Sequence, residues 1–285
     1  MQILDGKSLA ESWTIRLKNE FNWLREKIGR KPKLALVQVG DNEASTKFIK
    51  YKMKKAEELG VEAVHFHFPV DVRQREVLKK MDDINEQFDG IVVQLPLPAS
   101  LSAQVILDSV RAEKDIDGLT TRNAFNFYNN TKDFCYTPAT ALAIFSLMDA
   151  YNVEMDERHK IAVIGRSNLV GRPTAHLLKR RGCSVSTYNK NSGIKGVENA
   201  DIIIVAAGDP LMLKDIHVKE GVTIIDVGAT WVLKNGKRVL LGDCDIDCMR
   251  EKVKALAPVP GGVGPMTVVC LFQNLAYSIR HNFQL

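Results

Sequence analysis

The sequence predicts two α/β domains. Short apolar runs closed by glycine or proline alternate with stretches of helical periodicity, the alternation breaks once over residues 113–137, and it then resumes. Alternation of this kind gives a parallel sheet with helices on its faces.

Residues 8–29 read as an amphipathic helix, because Leu9, Trp13, Ile15, Leu17, Phe21, Leu24 and Ile28 fall close to helical spacing. Residues 33–40 are a short apolar run ended by Gly40, the pattern of a buried strand. A charged helix is expected from about Ser45 to Leu59, closed by Gly60. Residues 61–68 then read as a strand, 72–88 as a helix and 90–95 as a strand stopped by Pro96. Residues 113–137 hold an Asp-Ile-Asp-Gly string, an asparagine-rich patch and few periodic apolar positions, so a functional loop or an interdomain crossing is expected there. The second series has strands at 160–164, 184–188, 201–207 and 222–227, the first two joined by a helix over 169–181. Residues 258–265 are dense in turn formers, and 266–280 read as an apolar helix. No internal repeat is evident.

The 285 residues carry 39 Lys+Arg against 34 Asp+Glu, a net charge of +5, and 45% are hydrophobic. These values exclude disorder and low-complexity scaffolding and leave enough chain for two cores. The positive excess is small and spread out, so nucleic acid is not an expected partner, although the charge suits a polyanionic small molecule. The five cysteines (Cys135, Cys183, Cys244, Cys248, Cys270) are odd in number and never spaced C-x-x-C. That fits a reducing compartment and argues against a disulfide framework or a zinc knot, so no metal site is expected. No run nears the ~18 uninterrupted apolar residues of a membrane span, and no membrane partner is expected. Residues 1–9 include Asp5 and Lys7 and lack a signal-type apolar core, which makes a cytoplasmic location the expectation.

Ile161-Ala-Val-Ile-Gly165-Arg-Ser-Asn-Leu-Val-Gly171 reads as a strand, a glycine turn and a helix start. Such a turn exposes backbone N–H groups and the positive end of a helix dipole, which suits a pyrophosphate. The spacing is not G-x-G-x-x-G, and by its glycines alone the turn serves equally as a tight connection without a ligand. Arg166 and Ser167 shift the balance toward phosphate. Lys190 follows the second strand where an NAD site usually places an acid for the ribose hydroxyls; a cation there favours a 2′-phosphate, hence NADP. A lone lysine is nonetheless most often a solvated one.

Three polar residues stand out in the first domain. Lys52 lies four positions after Phe48 and so on the same helical face. Gln94 interrupts an apolar strand at the end where open α/β sheets bind ligands. Asp117 sits in the Asp-Ile-Asp-Gly string. A lysine at a pocket wall, bonded to an uncharged amide, can be held partly neutral and assist proton transfer. Singly, each has a plainer reading: a solvent-facing charge, a strand-end hydrogen bond and a turn cap.

Taken together the strings are specific. Asp5-Gly-Lys, Val39-Gly-Asp-Asn-Glu-Ala-Ser45, Val93-Gln-Leu-Pro-Leu-Pro98, Lys114-Asp-Ile-Asp-Gly118, Gly165-Arg-Ser, Asp226-Val-Gly and Pro258-Val-Pro-Gly-Gly-Val-Gly-Pro-Met-Thr267 occur in this order along the chain. They resemble the bifunctional methylenetetrahydrofolate dehydrogenase/methenyltetrahydrofolate cyclohydrolase family. The resemblance implies an N-terminal α/β substrate domain, residues 1–138 plus 268–285, and a Rossmann-like NADP-binding domain, 139–267. The C-terminal helix returns to the first domain. Two successive reactions in one cleft are implied: hydride transfer from 5,10-methylenetetrahydrofolate to NADP, then addition of water to the 5,10-methenyl cation to give 10-formyltetrahydrofolate. By similarity, Lys52 is the base or proton shuttle of the hydrolytic step, Gln94 tunes its charge, and Asp117 grips the donor edge of the pterin. Phe48, Val93 and Leu95 would line the folate, with Pro260, Gly261, Gly262, Val263 and Gly264 where folate and nicotinamide meet. Gly165, Arg166, Ser167, Lys190, Ala229 and Thr267 would hold the cofactor. Tetrahydrofolate derivatives are the implied partners, and a homodimer joined through cofactor domains the implied assembly.

The chain departs from the family's pattern in three places. Phe48 stands where a tyrosine is usual, which keeps a ring face for the folate but not the hydroxyl beside Lys52. That loss bears on hydrolysis more than on hydride transfer. Cys135-Tyr-Thr-Pro-Ala-Thr140 replaces Pro-Cys-Thr-Pro-x-Gly, and Asn189-Lys190 replaces His-Ser, exchanging a serine for a charge. A dehydrogenase with weak or absent hydrolysis is the alternative reading. A folate- or nucleotide-binding protein without turnover is the third, disfavoured by the presence of Lys52, Gln94 and Asp117 together.

Overall fold

The computed structural model describes residues 1–234 and 236–285. In chain order the elements are β1 (Gln2–Ile3), α1 (Gly6–Ile28), β2 (Lys33–Val39), α2 (Glu43–Leu59), β3 (Glu62–Phe68), α3 (Gln74–Gln87), β4 (Gly90–Val93), α4 (Ala103–Asp108), α5 (Thr121–Asn129) and α6 (Ala139–Ala150). There follow β5 (Lys160–Ile164), α7 (Gly171–Arg180), β6 (Ser184–Tyr188), β7 (Ile202–Val205), β8 (Val222–Asp226), β9 (Thr230–Lys234), β10 (Lys237–Leu241), α8 (Ile246–Met249), β11 (Val253–Ala257) and α9 (Val263–Phe283). They form two compact units, Ser12–Ala139 with Val268–Leu285, and Met1–Glu11 with Thr140–Thr267.

The first unit carries a three-stranded parallel sheet in the order β3-β2-β4. The central β2 is buried throughout after Lys33, as a strand covered on both faces must be. Ala35, Val37 and Val39 pack there with Val77, Met81 and Ile84 of α3 and Ile106 of α4. The expected return of the C-terminal helix is present. Phe272 of α9 meets Phe21 of α1 edge to face at 6.3 Å, and Arg280 pairs with Glu20 at 2.9 Å.

The second unit holds a six-stranded, all-parallel sheet ordered β1-β11-β8-β7-β5-β6. Its core joins Ala162, Ile203, Ile224 and Leu256 from four of these strands. From β5 the chain runs first to β6 on one side and then back to β7 on the other, so the strand order reverses at β5. The carboxyl ends beside such a reversal are where open α/β sheets bind ligands. The ribbon β9-β10 is antiparallel and pairs with neither sheet.

Three features differ from the sequence expectation. A helix, α5, occupies part of the stretch expected to be loop. Thr120 caps it by accepting from Asn123 N at 3.2 Å, Asn130 closes it at φ 51, and Asn123, Asn126 and Phe127 are buried. The asparagines that obscured its period are among the residues that secure it. Second, α9 begins at Val263, so Gly264 and Pro265 lie in its first turn, where proline lacks no needed donor. Third, the first eleven residues group with the second unit, because Gln2 and Ile3 pair with Ala255 and Leu256 of β11. A two-residue strand leaves no period to read.

Candidate active site

Helix α2 begins at Asn42, whose side chain accepts from Ser45 N at 3.0 Å. It buries Ser45, Ile49, Lys52, Ala56 and Leu59, a stripe at three- and four-residue spacing. Lys52 is therefore carried inward by the apolar face to which it belongs and is only 8% exposed, whereas Lys50 and Lys54 are exposed. Its Nζ donates to Gln94 Oε1 at 3.0 Å. Gln94 N donates to Val37 O at 2.8 Å, which carries the ladder one residue past β4. Its Nε2 donates to Leu95 O at 2.9 Å, and that bond determines which end of the amide meets the lysine. Ser45 Oγ donates to the same carbonyl at 3.3 Å. Phe48 is exposed one turn before Lys52, and Leu95 is half-buried. The Val93 side chain lies in the core, so this residue can offer a substrate only its backbone.

Burial lowers the Lys52 pKa below the usual 10.5, and the Asp117 carboxylate opposes that shift. Burial also raises the Asp117 pKa above 3.8, with Lys52 opposing. A lysine in this setting can take a proton as a neutral amine and return it as an ammonium.

In the second unit β5 is followed directly by Gly165, with φ 112. A Cβ there would stand 2.2 Å from Ala206 O, so only glycine lets the two loops approach. Arg166, Ser167, Asn168 and Leu169 are exposed ahead of the ten-residue α7. Arg166 Nη2 donates to Thr187 O at 2.6 Å, which holds the guanidinium at the end of β6, and exposed Lys190 follows that strand by two residues. Ser167 Oγ accepts from Val170 N at 3.2 Å. A glycine turn, a helix N-terminus and two cations beside the strand-order reversal fit a dinucleotide that carries a further phosphate.

Two buried acids were given no role by sequence reasoning. Asp226, at the end of β8, accepts from Gly228 N, Asp243 N and Cys244 N, each at 3.0 Å. Asp243 Oδ2 accepts from Ala207 N at 2.7 Å and Gly208 N at 2.9 Å. A Cβ on Gly228 would stand 2.1 Å from Asp243 Cγ. Burial pushes Asp226 up to about 6 and raises Asp243 as well. Together they fasten the loops that follow β7 and β8, with Ala229 exposed just beyond. The available signal was an acid directly ending an apolar strand, in Asp226-Val-Gly. In the turn before α9, Gly262 N donates to Pro258 O at 2.7 Å and Gly261 O accepts from Lys7 N at 3.0 Å, while a Cβ on Gly6 would stand 1.8 Å from Gly262 O, which accounts for the glycine of Asp5-Gly-Lys. Pro260 and Gly264 are exposed, Val263 is buried, and Thr267 Oγ1 donates to Val263 O at 3.2 Å within the helix. Among the described residues no group of three His, Cys, Asp or Glu side chains could hold a metal ion, and no helix is long and apolar enough to cross a membrane.

Residues 4–117 match the family model described as tetrahydrofolate dehydrogenase/cyclohydrolase, catalytic domain, and residues 138–283 match the NAD(P)-binding domain of the same family. The chain is 48% identical over 277 residues to the bifunctional protein FolD of Mycoplasmopsis synoviae, an alignment covering 96% of this chain and 98% of that one. The solved structure of the bifunctional FolD methylenetetrahydrofolate dehydrogenase/cyclohydrolase from Campylobacter jejuni is 36% identical, with a TM-score of 0.92 over 99% of both chains. The Trypanosoma brucei N5,N10-methylenetetrahydrofolate dehydrogenase-cyclohydrolase, solved with NADP cofactor and an inhibitor, is 29% identical, with a TM-score of 0.93 over 99% of this chain and 98% of that one.

Proposed function

This chain belongs to the tetrahydrofolate dehydrogenase/cyclohydrolase family, and from that premise we propose that it oxidises 5,10-methylenetetrahydrofolate with NADP and hydrolyses the 5,10-methenyl product to 10-formyltetrahydrofolate. The observation that carries the hydrolytic half is the 3.0 Å bond between buried Lys52 and Gln94. An iminium-type carbon is already electrophilic, so hydration needs a base at the water and an acid at the departing nitrogen. Lys52 Nζ takes a proton from the water as its oxygen joins the methenyl carbon. The same proton passes to the ring nitrogen as the carbon–nitrogen bond breaks, and the proton left on the new hydroxyl is released to solvent as its oxygen becomes the carbonyl of the formyl group. Burial, by lowering the Lys52 pKa, makes the neutral amine easier to reach than in a solvated lysine. Asp117 is assigned to the N–H donors of the pterin. Retention of the Lys52–Gln94 pair favours both activities over a dehydrogenase alone.

NADP, when bound, accepts the hydride. The turn at 165–171 is assigned to its pyrophosphate, Arg166 with Lys190 to the 2′-phosphate, and Ala229, Thr267 and the turn at 260–264 to the nicotinamide end. A homodimer is the proposed assembly, supported by the β9-β10 ribbon, which leaves Trp231, Leu233 and Val239 exposed although a lone two-stranded ribbon is marginal in water. An odd number of cysteines, none spaced C-x-x-C, suits a reducing, cytoplasmic location.

The test is loss of the near-ultraviolet absorbance of 5,10-methenyltetrahydrofolate. The purified protein is expected to hydrolyse it and Lys52→Met to abolish hydrolysis. Hydrolysis surviving in Lys52→Met would remove Lys52 from the mechanism, and no hydrolysis by the wild type would leave only the dehydrogenase.

A further inference from the structure

We infer that Asp115 and Asn274 are positioning residues for the folate: they set in advance the turn that presents Asp117. The inference rests on the assignment of Asp117 to the pterin. Asp115 is 4% exposed, and its carboxylate accepts three N–H groups, from Gly118 N at 3.1 Å, Thr120 N at 2.7 Å and Asn123 Nδ2 at 2.8 Å. A surface turn of this length is ordinarily closed by a solvated Asp, Asn or Ser. Here an ionisable group is buried to do it, against desolvation strong enough to push its pKa up to about 6. The main chain on the other side of Asp117 is also pinned. Asn274 of α9 donates through Nδ2 to Ile116 O at 2.8 Å and Thr137 O at 3.0 Å. The backbone of Asp115 further bridges to Ile91 of β4.

Asp117 thus stands between Ile116, whose carbonyl a helix side chain holds, and Gly118, whose N–H a buried carboxylate holds. Its own carboxylate interacts with Lys52. A binding carboxylate fixed before the ligand arrives need not be ordered on binding, and this lowers the concentration of folate required.

Steady-state kinetics of the full-length protein test this with Asp115→Asn, which places an amide NH2 against one of the three donors, and with Asn274→Ala. Either change is expected to raise the folate KM about tenfold with a smaller change in kcat and an unaltered NADP KM. In the double variant Asp115→Asn/Asp117→Ala, the folate KM should rise no further than in Asp117→Ala alone, because Asp115 acts through Asp117. Additive effects, an equal rise in the NADP KM, or an unchanged folate KM would overturn the inference. An unchanged folate KM in Asp117→Ala alone would instead overturn the assignment of Asp117 itself. Should Asp115→Asn fail to fold, Asn274→Ala and its double variant with Asp117→Ala carry the same comparison.

Discussion

Lys52 shows what one side chain gains from its neighbours. Its spacing from Phe48 was legible, because four residues bring two side chains onto one helical face. Its burial was not, since several other lysines share the helix and the partner that distinguishes it, Gln94, lies 42 positions further along. Desolvation disfavours the ammonium, so the hydrolytic rate should rise with pH along a limb set below 10.5. Asp117 favours the charged form, and Asp117→Asn should therefore shift that limb to lower pH. The kcat for hydrolysis, followed against pH at saturating folate, reads the shift, and displacement upward would contradict the assigned sign. Phe48→Tyr restores a hydroxyl one turn from Nζ. It should raise hydrolysis by less than about tenfold and act less on NADP reduction, as parallel assays of the two steps will show.

At the scale of elements, strands that end in glycine or proline were readable because burial on both faces makes them continuously apolar. Helix α5 was not, because its asparagines act as caps and buried hydrogen-bonding groups, which no apolar period records. The β5–α7 turn leads to a firm expectation. Gly165→Ala should lower stability by about 1–3 kcal/mol and raise the NADP KM more than the folate KM, since the added carbon meets a backbone carbonyl at a positive φ. Thermal melts and kinetics together check it. The end of β8 gives a pH signature. Asp226 moves from 3.8 to about 6 on folding, so its stabilising contribution is complete below 3.8 and is lost as pH rises through about 6. Asp226→Asn should remove roughly 3 kcal/mol of the stability lost between about pH 4 and about pH 7, measured by urea unfolding at both. An identical pH dependence in variant and wild type would refute the assignment.

For the whole molecule, two α/β units were visible in the repeated alternation, but the grouping of the first eleven residues with the second unit was not. Pairing of the first residues with β11 is set by two hydrogen-bonded positions, too few to leave a sequence pattern. Assembly is testable at the β9-β10 ribbon. Leu233 is 74% exposed, and Leu233→Glu should convert a sedimenting dimer to a monomer; a variant that still sediments as a dimer would move the interface elsewhere. The placement of β11 between β1 and β8 also governs how the protein is made. Among the described residues β1 pairs only with β11, which is translated about 250 residues after it, and the other unit waits for Asn274 and Ser278 of α9. Neither unit has all its elements until β11 and α9 have been made. During synthesis the six-stranded sheet therefore stays incomplete and the three-stranded sheet stays uncovered by α9, the condition under which chaperones matter most.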